Sequence, residues 1–215
     1  LALLFDLDGV IVDSNPVHEA SWREYGRRLG LGMENPLREG MYGKRNDEIV
    51  RELLGNQLTE REVFAHGAAK EALYRELMGP HLIEHLVPGV TEFLEKHKEM
   101  PIGLASNAER PNIDFVLDGA GLRRYFRVVI DGNQVKRAKP DPEVFLRAAA
   151  GLQADPQNCI VFEDSFSGVA AARAAGARVV GVTTTHDAFP DVDLTIEDFR
   201  SAWLEPWLSR QKSQL

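Results

Sequence analysis

The chain has 215 residues, with 33 acidic against 25 basic side chains, a net charge of -8 and 44% hydrophobic residues. That length allows one large domain or a core with a smaller insert, and the apolar fraction suffices for a packed core rather than disorder. The acidic balance argues against nucleic-acid and anionic-membrane partners, because no basic surplus exists to release counterions, and the single Cys159 rules out a disulfide framework.

An apolar run opens at Leu1 and ends in Asp6-Leu7-Asp8-Gly9, which reads as a buried strand leading into two close carboxylates. Like charges so near each other repel, so the pair needs a cation or cationic side chain opposite. One use fits: one Asp attacks phosphorus and becomes an acyl phosphate, the other handles the leaving-group proton, and Mg²⁺ offsets the charge. Ser14-Asn15-Pro16 predicts a helix start, with Ser14 as cap, running to about Leu29 before Gly30. A second helix is expected over Asp47–Leu54, ended by Gly55. A third opens with a Thr59/Glu62 capping box and runs toward Met78, where Gly79-Pro80 stops it. No strand-like run occurs before Val87-Pro88-Gly89, so this insertion reads as helical throughout.

Apolar segments then recur at Ile102–Ala105, Val128–Ile130, Ile160–Phe162 and Val179–Val182, with helical stretches between them. That alternation predicts a parallel sheet covered on both faces. Cys159 precedes the Ile160–Phe162 strand and reads as a small core residue. Phe199, Trp203 and Trp207 repeat every four residues, as in a terminal helix packed on the sheet and bent by Pro206. The chain opens without Met and is expected to have lost a few leading residues. No charged-then-apolar leader and no run of about 20 apolar residues is present, so a cytoplasmic protein is expected.

Polar groups follow the strands at their carboxyl ends: Ser106-Asn107, then Glu163-Asp164-Ser165. Lys139-Pro140-Asp141-Pro142 is expected to begin a helix past the third strand. Ligands of open α/β sheets sit outside those strand ends, so four polar clusters converge there. Glu163 and Asp164 bring hard oxygens suited to Mg²⁺. Ser106 and Asn107 can donate to phosphate oxygens beside the N–H groups of a helix start. A lysine is useful where a carboxylate must approach a phosphate dianion. Ser106-Asn107 and Asp164-Ser165 read equally as helix caps, and Gly9 as an ordinary turn glycine. Lys136 and Arg137 read as surface charges.

In order and spacing, Asp6-Leu7-Asp8-Gly9, Ser106-Asn107, Lys139 and Glu163-Asp164 resemble the four motifs of the haloacid dehalogenase superfamily. The resemblance covers essentially the whole chain and is closest to the branch containing β-phosphoglucomutase and small sugar-phosphate phosphatases. It implies a Rossmann-like α/β core of residues 1–14 and 86–215, and an α-helical cap of residues 15–85 that closes over it. It implies Asp6 as nucleophile and Asp8 as acid/base, with the Asp8 backbone carbonyl also reaching the metal. Ser106, Asn107 and Lys139 would bind phosphate beside Gly9. Asp164 would be a direct Mg²⁺ ligand, and Glu163 a ligand or a residue behind it. In the cap, His18 and Lys70 fall where the mutase branch carries a His and a Lys. Gly43-Lys44-Arg45-Asn46-Asp47 resembles its substrate-reading loop. Aligned on Gly43, Asn46 replaces an Arg that holds the distal phosphate in the mutases.

The expectation is a monomeric, Mg²⁺-dependent phosphatase acting on a small phosphorylated metabolite, a sugar or polyol phosphate, through an aspartyl phosphate. The alternatives are a β-phosphoglucomutase-like phosphoryl transferase and a catalytically idle phosphate-binding module. Dehalogenation gives no reason for a proton-handling Asp8.

Overall fold

The structure, a computed structural model, describes residues 1–32 and 44–213. The opening apolar run forms β1 (Ala2–Phe5). It is followed by β2 (Ile102–Ala105), β3 (Val128–Ile130), β4 (Cys159–Glu163), β5 (Arg178–Val182) and β6 (Leu194–Ile196). All pair in parallel, in the order β3-β2-β1-β4-β5-β6. The chain steps outward from β1 to β3 and then returns to the other side of β1 for β4. Such a reversal opens a crevice at the carboxyl ends of the central strands. Phe5 is in register with Leu104 and Phe162, so Asp6, Ala105 and Glu163 reach that edge together. The expected α/β sheet is present; β6 was not anticipated, since its apolar residues are interrupted by the exposed Thr195 and form no continuous run.

The helices are α1 (Asn15–Arg28), α2 (Asn46–Leu54), α3 (Glu60–Met78), α4 (Val90–Lys96), α5 (Arg110–Gly119), α6 (Glu143–Gly151), α7 (Phe166–Ala174) and α8 (Leu204–Lys212). Alternation along β1 sorts them onto two faces. Leu3 and Phe5 pack with α4, α5 and α8, where Phe5 stacks on Phe162 at 4.6 Å and meets Phe93 edge-on at 6.2 Å. Ala2 and Leu4 face α6 and α7, whose Ala148, Ala149, Ala171 and Ala172 let the helices approach closely. Burying each large apolar side chain contributes about 1.5–3 kcal/mol, which holds the strand ends in place.

Helices α1–α3 share a separate cluster built on Trp22, Ile49, Val50 and Val63. Tyr74 and Met78, near the end of α3, join the main core instead. Thr59 forms the expected capping box: its hydroxyl accepts from Glu62 N–H at 3.3 Å, and the Glu62 carboxylate accepts from Thr59 N–H at 2.8 Å.

Three expectations need correction. Ser14 stands at the N-cap of α1 but makes no side-chain cap; its hydroxyl is turned to Asp8. The helix after Lys139 begins at Glu143, since Lys139–Pro142 forms a turn that places the lysine first. Phe199 is buried ahead of α8 and Trp203 is its exposed N-cap, while Pro206 sits in the first turn, where no N–H partner is lost and no bend is required. Gly43, on which the cap loop was aligned, lies outside the described residues.

Thr59→Ala should destabilise the protein by about 1 kcal/mol, read as a lower urea midpoint. An unchanged midpoint would mean that the capping box does not support α3.

Candidate active site

Asp6 leaves the end of β1 buried, and its Oδ1 lies 2.9 Å from the Lys139 ammonium. The same ammonium donates a hydrogen bond to Glu163 Oε1 at 2.6 Å. Asp6 Oδ1 is thus a buried oxygen whose ion-pair partner among the described residues is this shared ammonium. Glu163 is saturated: its Oε2 accepts from the N–H groups of Asp164 and Ser165 and from the Ser165 hydroxyl. Asp164 accepts from the Thr185 hydroxyl, and Gly9 packs against its carboxylate. Gly9 has φ +71° and any Cβ there would overlap the Asp164 side chain, so this turn requires glycine for two reasons.

Carboxylate oxygens of Asp6, Glu163 and Asp164 lie within 4.8 Å of one another, opposed by one lysine. Burial, with the neighbouring Glu163 and Asp8 charges, pushes Asp6 up to about 7 against the pull of Lys139. Burial and the charges of Glu163 and Asp6 likewise raise Asp164 well above the usual carboxylate range. Lys139 moves upward despite burial because Asp6 and Glu163 hold its proton. The cluster thus lacks positive charge and offers hard oxygen donors. The Asp6 and Asp164 carboxylates, buried together with a single lysine beside them, fit a divalent cation such as Mg²⁺; Glu163, with both oxygens engaged, fits the role of holding Lys139 and the start of α7.

Asp8 lies outside that cluster. Its Oδ1 accepts from Ser14 at 2.6 Å and faces His18 Nε2 at 3.4 Å. His18 Nδ1 is 2.8 Å from Lys70 Nζ, and since an ammonium can only donate, Nε2 is the nitrogen that carries a proton toward Asp8. Burial works to raise Asp8, but His18, Ser14 and Lys70 outweigh it and hold its carboxyl below the ordinary value. The His18 ring stacks on Tyr74 at 3.9 Å. Lys70 is almost wholly buried, lies 5.1 Å from the centre of the Trp22 ring, and pairs with Glu71 at 2.8 Å. Glu71 in turn accepts from Asn112 of α5, tying α3 to the sheet side.

One cavity collects these groups. Asp6, Asp8, Ser106, Asn107 and Asp164 line it from the strand ends, and His18, Lys44, Asn46 and Lys70 from α1, the start of α2 and α3. Ser106 is buried and its hydroxyl accepts from Ala108 N–H, while Asn107 Oδ1 accepts from the Lys139 backbone, so both residues also shape the loop. Lys139, Glu163 and Gly9 support the floor from beneath rather than line it. Arg45 does not join the cavity. It pairs with Asp47 at 3.3 Å and lines an adjoining groove. Lys44 faces the cavity with its ammonium bound to Glu52.

Sequence reasoning missed Ser14, Glu71, Tyr74, Glu109 and Thr185. Thr185 had a usable signal, because the Thr183-Thr184-Thr185 run follows β5 at the same sheet edge. Ser14 had none, since its position predicts a cap.

The model of the haloacid dehalogenase-like hydrolase family matches residues 1–176. The chain belongs to this family. The family and the enzyme class expected from the four motifs are thereby borne out. Fructose-1-phosphate phosphatase YqaB of Escherichia coli is 31% identical over 182 residues, covering 84% of this chain and 95% of that protein. The β-phosphoglucomutase of Bacillus subtilis is 30% identical over 190 residues, covering 84% and 82%. The crystal structure of β-phosphoglucomutase from Clostridium difficile superposes with a TM-score of 0.87 at 28% identity, covering 99% of this chain and 97% of that one. Among the described residues no helix is long and apolar enough to cross a membrane.

A carboxyl with a raised value holds its proton more tightly folded than unfolded, so rising pH weakens the fold between the ordinary carboxylate value and about 7 for Asp6. In chelator, the melting temperature should therefore fall between about pH 5 and about pH 7.5, and fall less in Asp6→Asn. Equal slopes for the two proteins would contradict the strained-carboxylate reading.

Proposed function

We propose that this protein is a Mg²⁺-dependent phosphatase that hydrolyses a small sugar or polyol phosphate through a phosphoaspartate at Asp6. The observation that carries the reading is the Asp6 carboxylate. It lines the cavity from a strand end and is held in position by an ion pair to a buried lysine. The pair with Lys139 orients the carboxylate for attack on phosphorus and lowers the cost of bringing a dianion to it. Asp6 and Asp164 are the side chains that would hold Mg²⁺, with the Asp8 backbone carbonyl. The ion would supply positive charge against the phosphoryl oxygens.

Asp8 moves the proton. It gives one to the departing alkoxide oxygen, then takes one back from the water that attacks phosphorus in the phosphoaspartate, so the cycle closes. The hydrogen bonds from Ser14 and His18 favour its ionised form, the one that takes the proton from water, and that step regenerates the protonated form that serves the next leaving group. Ser106 and Asn107 would bind the phosphoryl oxygens. Residues 15–85 would serve as a cap over a core of residues 1–14 and 86–215. Support for that division comes from the separate α1–α3 cluster and from the share of the cavity wall contributed by His18, Lys44, Asn46 and Lys70. Such a cap excludes bulk water and strengthens the charge interactions below it.

A phosphoglucomutase-like transfer is the second reading, favoured by the His18–Lys70 contact and by the likeness to β-phosphoglucomutases. A mutase holds two phosphates at once, and an amide at Asn46 is a poor clamp for the second.

Purified protein should release phosphate from p-nitrophenyl phosphate and from sugar monophosphates with Mg²⁺ and lose this activity in chelator. Asp6→Asn should lower kcat/KM by at least about 10³-fold while remaining folded. Comparable turnover by the folded variant would remove Asp6 as nucleophile. Supplied with β-glucose 1-phosphate and a bisphosphate primer, the protein should yield mainly inorganic phosphate by phosphorus NMR; rapid glucose 6-phosphate formation would instead establish the mutase.

A further inference from the structure

Glu109 stands at the N-cap of α5, yet its side chain does not cap the helix. It lines the cavity and accepts a 3.2 Å hydrogen bond from the Asn46 amide at the start of α2. The pair therefore bridges the two sides of the cavity. It also forms a wall, because both residues line the adjoining groove that holds Arg45. Arg45 lines that groove and not the cavity.

The nearby cations are committed to other carboxylates. Lys44 binds Glu52, and Lys70 binds Glu71 while touching His18. Beyond the reacting phosphate, a substrate thus meets Glu71 and Glu109, and the lysines that line the cavity, Lys44 and Lys70, each already pair with a carboxylate. A carboxylate repels a phosphate dianion but accepts readily from a hydroxyl, and a primary amide can donate or accept.

We propose that Glu109, set by Asn46, is a specificity residue that rejects a second phosphate and accepts a hydrogen bond from a hydroxyl of the substrate. The substrate class is then a phosphate monoester of an uncharged, hydroxylated body, with bisphosphates excluded. This inference rests on the phosphatase reading and adds to it the selection against a second anion.

The test compares kcat/KM for fructose 1-phosphate and fructose 1,6-bisphosphate, and for glucose 6-phosphate and glucose 1,6-bisphosphate, in wild type, Glu109→Gln and Glu109→Lys. Wild type should favour the better monophosphate over its bisphosphate by at least about 10-fold. Glu109→Lys should cut that ratio by about 10-fold or more, since it reverses the charge facing the second phosphate. Glu109→Gln, close in shape and still able to bond Asn46, should cut it by about 3-fold and carries the test should the lysine variant not fold. Ratios unchanged in a folded variant would overturn the inference, as would wild-type protein that turns over bisphosphates as well as monophosphates. Hydrolysis of p-nitrophenyl phosphate without hydrolysis of either sugar monophosphate would also overturn it. Failure of the wild-type protein to hydrolyse p-nitrophenyl phosphate with Mg²⁺ would instead sink the phosphatase reading.

Discussion

A single buried ammonium among three carboxylates is the constraint on which the rest of the site depends. Lys139 is in ion-pair contact with Asp6 and Glu163, and Asp164 shares the same space. Removing that many charges from water costs several kcal/mol for each ion, and one lysine does not balance three acids. The cluster is therefore poorly arranged for stability and well arranged for a missing positive charge. The raised carboxyl groups of Asp6 and Asp164 express this deficit.

The sheet makes the arrangement possible. Asp6 and Glu163 emerge at neighbouring, in-register positions of β1 and β4, and the β2 loop brings Ser106 beside them. Aromatic packing of Phe5 on Phe162 and Phe93 fixes those strands to each other a single residue below the charges. Glu163 then does the quieter work. By binding Lys139 with one oxygen and the start of α7 with the other, it orients the lysine and leaves Asp6 exposed to the cavity. Gly168 packs so closely on the Glu163 carboxylate that a Cβ would collide with it, which keeps this support rigid.

Most of the site floor was legible in the sequence because its residues follow strands directly. Asp6, Ser106 and Glu163 are placed by strand ends, and a parallel sheet puts strand ends on one edge. Lys139 was legible by motif, although the turn that carries it was mistaken for a helix start. Residues brought in from α1 and α3 were less so. His18 and Lys70 stand 52 positions apart and meet only because two helices pack, a contact that neither local pattern contains. Ser14 looks like a cap and serves Asp8 instead; Glu109 stands at a cap position and points to Asn46. For Ser14 a local cap and a distant carboxylate were both within reach and tertiary placement chose between them; Glu109, too long to be a favoured cap, was free to reach across the cavity. Arg45 shows the converse: adjacent to Asn46 in the chain, it faces a different groove once α2 begins.

Chemical trapping of the covalent intermediate puts the role of Asp6 most directly at risk. Enzyme mixed with a turned-over phosphate ester and Mg²⁺ is quenched in acid within milliseconds, reduced with borohydride, and mapped by peptide mass spectrometry. A phosphoaspartate at Asp6 is reduced to homoserine, so the peptide containing position 6 should carry that change only when substrate is present. Reduction at another carboxylate, or none under conditions of rapid turnover, would contradict attack by Asp6.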